Sequence, residues 1–200
     1  MVQDRMTHLH QGIYMRLIIT MLVLVFSSQV TAAPARIEVK GEHEFKLSQS
    51  NDRWEISAAD KSELNKASVV KSADAMLLND KTGARLGSCR NQGNKTITQM
   101  SASGSVIYLF NLSAQDTYVV EDKDKKKLWR VKIKDDKFNI YGANDKRLRH
   151  GKSKTGDVSV RSENDQQLLK IQGVSELRRA SYLALPIDAK WQILAFLCAQ

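Results

Sequence analysis

The sequence is poor in the residues that build metal sites. It has two cysteines, Cys89 and Cys198, and four histidines, of which only His43 and His150 lie beyond residue 32. Two cysteines and two histidines scattered along the chain show none of the spacings typical of zinc or copper sites. We therefore predict no metal and no other cofactor.

Motifs for catalysis are also lacking. The chain has no nucleophile elbow, no Cys/His pair in a recognisable motif and no paired carboxylates on a helix face. Gly83–Gly87 superficially resembles a phosphate-binding loop, but no helix N-terminus follows it to hold a phosphate. The sequence predicts a non-enzymatic protein. A hydrolase without a recognisable motif is an alternative for which no residue can be named.

Long apolar runs are absent. Leu17–Phe26 is about ten mostly apolar residues, too short to span a bilayer as a helix. A preceding Arg16 and the small residues that follow are typical of a secretory signal peptide. We predict that residues 1–32 are cleaved after Ala32, with Ala35 as second choice, and that the protein is periplasmic or secreted. An uncleaved anchor is the alternative. Residues 33–200 are then a single domain without a transmembrane span.

Charge of one sign dominates the rest of the chain. The sequence carries 31 Lys and Arg against 22 Asp and Glu, and without residues 1–32 the net charge is about +8. A basic exported domain favours anionic surfaces such as phospholipid headgroups, phosphorylated glycans or stray nucleic acid. The alternative is that the charge only keeps the protein soluble.

A repeat of twenty residues organises the chain. Thr117–Leu128, Lys137–Leu148 and Asp157–Leu168 share apolar residues at i and i+2, a turn containing Asp or Asn, and a closing leucine. This pattern predicts repeated β-hairpins. Lys66–Leu86 follows the same pattern. Between Asn91 and Ser105 the register fades, and we expect an irregular loop or distorted strands there.

Two further segments differ from the hairpins. Val106–Phe110 is a continuous apolar strand that we expect to be buried on both faces. Ser175–Leu185 predicts a helix that Pro186 ends, and Asp188 can cap a second helix over Ala189–Ala199. The second helix is apolar on all sides and must be buried on all sides. We therefore predict a mainly β fold in which repeated hairpins form a closed or nearly closed barrel around this helix.

This combination resembles the tubby C-terminal-like superfamily, in its LURP-one-related and phospholipid-scramblase branch. The residues that carry the resemblance are Met76-x-Leu78 with Gly83 and Leu86, the units within Thr117–Leu168, and Ala189–Ala199. It implies a barrel wrapped around a C-terminal helix and a mild preference for anionic lipid. The chain departs from these usually intracellular relatives because it looks exported and lacks a calcium-binding carboxylate cluster. Phosphoinositide binding and scrambling therefore do not carry over.

Strand alternation assigns the faces of the hairpins. Trp129, Val131 and Ile133 are predicted to point inward, while the residues between them point to solvent. One unit later Arg149, Gly151 and Ser153 take the inward positions. The outward basic residues form the predicted binding site, near Lys125–Lys127, and they are Arg130, Lys132, Lys134, Lys152 and Lys154.

The predicted ligand of this surface is an anionic phospholipid or another polyanion, with no specific nucleic acid. Exposed lysines on strands also serve as a guard against edge pairing, which is the alternative interpretation. The alternative function is a structural or assembly role that docks a protein of the cell envelope.

The repeat register also brings the two cysteines together. Cys89 aligns with the inward positions Val131 and Gly151, and Cys198 lies near the end of the helix predicted to fill the barrel. We predict a Cys89–Cys198 disulfide. Two buried free thiols that act as small apolar groups are the alternative.

Overall fold

A computed structural model gives the fold of residues 36–59, 62–93, 96–114 and 116–199. The predicted signal peptide, residues 1–32, lies outside the described residues. Across the described ranges the chain forms fourteen strands and two helices. The strands are β1 (Arg36–Gly41), β2 (Phe45–Ser50), β3 (Arg53–Ala58), β4 (Ser68–Ser72), β5 (Ala75–Asn79), β6 (Arg85–Asn91), β7 (Thr96–Ser101), β8 (Val106–Ala114), β9 (Thr117–Glu121), β10 (Lys127–Lys134), β11 (Lys137–Gly142), β12 (Arg147–Lys154), β13 (Asp157–Ser162) and β14 (Gln167–Gln172). The helices are α1 (Leu177–Leu183) and α2 (Ala189–Cys198).

The sheet closes on itself. Each strand pairs antiparallel with its neighbours in sequence, and β14 pairs with β1, where Val39 lies opposite Ile171. Apolar alternation puts one face of every hairpin inside, so closure leaves no unpaired edge. The prediction of a mainly β barrel built from repeated hairpins is confirmed.

The hairpin turns show how far the repeat extends. Five turns of five residues share one pattern. The amide of the first residue donates to the carbonyl oxygen of the fifth, and the amide of the fourth donates to the carbonyl oxygen of the first. The fourth residue of each turn has a positive φ. Those residues are Gly83, Gly104, Lys125, Asp145 and Asp165. The spacing of twenty or twenty-one residues therefore continues through Asn91–Ser105. The expected irregular loop is replaced there by β7, but the expected distortion is present, because the pairing of β7 with β8 shifts register between Gln99 and Met100. This segment holds β7, whose inward Gln99 replaces the expected apolar residue.

The prediction that Val106–Phe110 is buried on both faces was also wrong. Phe110 points inward and is buried, but Ile107 and Leu109 are only half-buried. On this outer side Met100 lies opposite Val106 of β8, and Val70 lies opposite Leu77, with Ser88 between Leu77 and Met100. No second layer of described residues packs over this side of the wall, so its apolar side chains stay partly exposed.

Helix α2 fills the barrel. Every residue from Trp191 to Cys198 is buried, and Ile193 to Leu197 are completely inaccessible. The buried amide of Gln99 donates from Nε2 to the Trp191 carbonyl oxygen at 2.6 Å, which ties β7 to this helix. The predicted helices thus exist with slightly shorter bounds. None of the helices formed by the described residues is long and apolar enough to cross a membrane.

Capping of α2 differs from the prediction. Asp188 occupies the N-cap position, but its side chain makes no capping hydrogen bond. The residue is exposed, so water can solvate its carboxylate. Its main-chain carbonyl oxygen accepts hydrogen bonds from the amides of Trp191 and Gln192 instead.

The predicted disulfide is present. Cys89 on β6 and Cys198 at the end of α2 are bonded, with their Cα atoms 6.3 Å apart. Both cysteines are buried, so the bond ties the helix to the inner wall. A structural disulfide indicates an oxidising compartment rather than the cytosol.

The structure explains why the inward residues of β12 are not apolar. Gly151 lies opposite Phe138, and the Phe138 ring occupies the space that a side chain on Gly151 would take. Arg149 donates from Nη1 to the Ala184 carbonyl oxygen at 3.2 Å and pairs through Nη2 with Glu42 at 2.9 Å. Its pKa is lowered mainly because burial removes water from the guanidinium. The inward assignment of β12 is confirmed.

An aromatic stack links α1 to the wall and gives a testable pH dependence. The rings of Tyr118 and Tyr182 stack with centroids 4.8 Å apart, and burial raises the pKa of Tyr182 to about 12. Because the ordinary pKa is 10.0, the unfolded chain ionises first as pH rises. The stabilising contribution is therefore complete below pH 10 and is lost as pH rises toward 12.

We expect Tyr182→Phe to lose less stability than wild type between about pH 9 and about pH 11. Urea unfolding at several pH values measures this. Tyr118 keeps a raised pKa in the variant because burial is its main cause, although the smaller contribution of Tyr182 is removed. Identical pH profiles for the two proteins would contradict the assignment.

Candidate anion-binding site

The structure places all five predicted basic residues on the outside of the wall. Arg130, Lys132 and Lys134 alternate with the inward residues of β10, and Lys152 and Lys154 do so on β12, with β11 between them. Both strands are paired on both sides. An edge-guarding role for these lysines is therefore excluded, because a strand inside a closed barrel has no edge to protect.

The register extends the site beyond the predicted residues. One outward position on each of six neighbouring strands, from β10 through β14 to β1, forms a circumferential row in which each residue lies directly opposite the next. We call it the lysine row, and it consists of Lys134, Lys137, Lys152, Ser159, Lys170 and Lys40. Like charges placed directly opposite each other destabilise a sheet. Stability alone therefore does not explain five lysines in six positions.

Carboxylates balance the lysine row only partly. Lys152 lies 3.5 Å from Asp136, Lys170 lies 2.9 Å from Asp157, and Lys40 lies 3.4 Å from Glu38. The pKa of Asp157 is lowered, chiefly by the hydrogen bond from Lys170.

Part of the site has no internal counter-charge. Among the described residues, Lys134, Lys137 and Lys154 form no ion pair with any carboxylate, and all three are exposed. Asp157 is the one acidic side chain at an outward strand position of β10–β13 within the described part of the chain. The face therefore carries excess positive charge that is accessible to a ligand.

A groove of about 540 Å³ lies beside the lysine row on the outer side of β11–β13. Most of the residues that line it are basic. The lining residues are Lys137, Asn139, Arg147, His150, Gly151, Lys152, Lys154, Ser159, Arg161 and Asp165. His150 Nε2 lies 3.1 Å from a carboxylate oxygen of Asp165, while its buried Nδ1 has no hydrogen-bond partner. The groove can thus offer several N–H donors to one anionic group.

Arg130 contributes less than the sequence suggests. Its Nη2 pairs with Asp145 at 3.1 Å, and its guanidinium lies over the Tyr141 ring at 5.3 Å. The pKa of Asp145 is lowered, chiefly by a hydrogen bond from Lys127 and also by the charge of Arg130. Lys127 begins β10 and Lys134 ends it, so Lys125–Lys127 lie at the opposite end of the wall from the lysine row.

Sequence reasoning missed several residues of this site. Lys137 precedes the inward Phe138 within a recognised repeat, so alternation could have found it. Lys40 could not be found, because its place beside Lys170 depends on the pairing of β1 with β14 across the whole chain. Arg161 lines the groove through its register opposite His150.

Within the part of the chain that the structure describes, no group of three or more His, Cys, Asp and Glu side chains is placed to hold a metal ion. The arrangement of the site is suited to holding anions by charge and hydrogen bonding.

Comparison with known proteins does not assign the chain to a family. No protein-family model matches the chain, and no curated protein matches it. A solved structure of a protein from Arabidopsis thaliana is similar at 13% identity, with a TM-score of 0.39, over 66% of this chain and 89% of that one. At that TM-score we draw no conclusion about family or function from the similarity.

Proposed function

We propose that the protein is an exported binding module that holds anionic ligands on its basic outer face by charge and hydrogen bonding, without a catalytic step. The observation that carries the proposal is the lysine row, in which lysines fill five of six successive positions and lie directly opposite each other at Lys134/Lys137, Lys137/Lys152 and Lys170/Lys40. A bound anion would relieve their mutual repulsion.

The site favours phosphate and other oxyanions. The lysine ammonium groups and the guanidinium groups of Arg147 and Arg161, which line the groove, are strong donors to such oxygens. Exposed Lys134 and Lys137, which lack internal partners, are free to change from water to ligand without breaking an ion pair. Export is supported by the disulfide, which persists in an oxidising compartment.

We expect Lys134→Gln/Lys137→Gln to weaken binding to inorganic polyphosphate and to vesicles of phosphatidylglycerol and phosphatidylcholine. Each lysine that contacts a phosphate contributes about one unit to the slope of log affinity against log salt. The double variant should therefore lower that slope by about two if both lysines contact ligand. Isothermal titration with polyphosphate and vesicle sedimentation, each at several salt concentrations, measure the change.

Lys71→Gln/Lys81→Gln is the matched control. It removes the same charge from exposed residues on β4 and on the turn after β5, away from the lysine row. Equal losses in the two double variants would mean that net charge alone drives binding, and the proposed site would be wrong.

A further inference from the structure

The direction of the lysine row distinguishes between a flat and a linear ligand. Its residues follow one another across the strands, one per strand, rather than along a strand. Neighbouring strands lie about 4.8 Å apart, so the row from β10 to β1 is roughly 24 Å long. Cationic side chains thus recur at this interval around the wall, with one gap at Ser159.

The curvature of the wall limits contact with a flat surface. The row crosses five of the fourteen strand intervals of a closed barrel. In a roughly circular barrel, five intervals turn through about 130°. Where a planar bilayer touches Lys152, the wall at Lys134 and at Lys40 is turned from the bilayer normal by about 50° and about 80°, so both residues lie farther from the plane, whereas a flexible chain can follow the curve.

The middle of the basic face, on β11 and β13, also offers few of the apolar side chains with which peripheral proteins enter a bilayer. The outward positions of β11 and β13 are Lys137, Asn139, Tyr141, Asp157, Ser159 and Arg161. Tyr141 is the one aromatic residue among these described positions, and the cations of Arg130 and Lys132 lie 5.3 and 5.9 Å from its ring centroid. Its apolar surface is thus partly covered.

The groove on β11–β13 overlaps the lysine row and can hold one anionic group of the ligand in place. Lys137, Lys152 and Ser159 belong both to the row and to the groove lining, and His150 and Arg161 extend the groove toward the centre of the wall. One anionic group can sit in the groove while neighbouring groups of the same chain reach Lys170 and Lys40.

We infer that the ligand is a linear polymer with anionic groups along its backbone, which lies across the strands on the lysine row with one group in the groove. This inference rests on the proposed function and narrows it to one class of ligand. Anionic membrane is the competing ligand and becomes an outcome of the test.

The test compares tripolyphosphate with polyphosphate long enough to span about 24 Å, and both with phosphatidylglycerol vesicles. We expect the affinity for polyphosphate to rise with chain length until the chain covers the lysine row. For longer chains the affinity, counted per stretch of chain that can occupy the row, should stay constant. Vesicles should bind more weakly at equal phosphate concentration. Isothermal titration or fluorescence anisotropy at fixed salt measures the affinities.

Lys40→Gln/Lys170→Gln removes the end of the row that lies outside the groove. It should weaken binding of the long chain by about tenfold or more and of tripolyphosphate by much less, because the short ligand occupies the groove. Circular dichroism and thermal unfolding of the variant show whether the seam between β1 and β14 is intact.

The outcomes separate the two proposals. Equal affinity for short and long chains, or equal effects of the variant on both, would overturn the linear-ligand inference. If vesicles then bind in a way that depends on Lys134 and Lys137, the anion-binding proposal stands with a membrane as ligand. If neither ligand depends on those two lysines, both proposals fail.

Discussion

Replacing both cysteines with alanine lowers the free energy of unfolding by about 4 to 5 kcal/mol. Cys89 and Cys198 are 109 residues apart, so the bond closes a long loop and removes much of the conformational freedom of the unfolded chain. It also fixes the end of α2 against β6. Urea or guanidinium unfolding of the wild type and of Cys89→Ala/Cys198→Ala measures the difference.

Reduction of the wild type provides the control, because it breaks the bond without changing the packing volume. Reduced wild type and the double variant should unfold at similar denaturant concentrations, both well below oxidised wild type. A loss of less than about 1 kcal/mol in both would show that the bond does little to restrict the unfolded chain.

Phe196→Ala is expected to cost about 3 to 5 kcal/mol of unfolding free energy. The Phe196 ring lies in the last turn of α2 with no exposed surface, and the Arg179 guanidinium is 4.3 Å from its centroid. Truncation leaves a cavity that the surrounding strands cannot close, because the ladder of the barrel fixes their positions. It also removes the ring that faces a half-buried cation. Denaturant unfolding measures the cost.

Leu109→Ala is the matched control for Phe196→Ala. It removes a large apolar side chain from the outer face of β8, where the residue is only half-buried. Leu109→Ala should lower the free energy of unfolding much less than Phe196→Ala does. Similar losses in both would mean that α2 contributes no more to the core than a surface residue does.

The architecture could be predicted from the sequence because it rests on local signals that repeat. Each hairpin carries its own apolar alternation and its own turn, which predict the strands of the barrel. Helix α2 has no polar face to expose, which predicts that the strands surround it. The disulfide followed from the same register, since Cys89 occupies a position equivalent to Val131. Local periodicity therefore determined which side chains face inward.

The parts that the sequence did not predict depend on contacts between distant segments. In β7 the inward Gln99 hides the apolar pattern, and its amide nitrogen finds its acceptor on α2, the Trp191 carbonyl oxygen. Lys40 joins the basic face only because β1 completes the barrel against β14. Pairing between the two ends of a chain leaves no trace in local alternation. The sequence therefore predicted part of the lysine row but not its length or its direction.

The lysine row gives the proposed function a location that can be measured directly. Amide NMR spectra of isotope-labelled protein titrated with polyphosphate report which strands contact ligand. We predict shift changes in β10–β14 and β1, largest around Lys137, Lys152 and Ser159, with β4–β8 unaffected. Changes centred on β4–β8, or no changes at low salt, would contradict the proposal that this basic face binds anions.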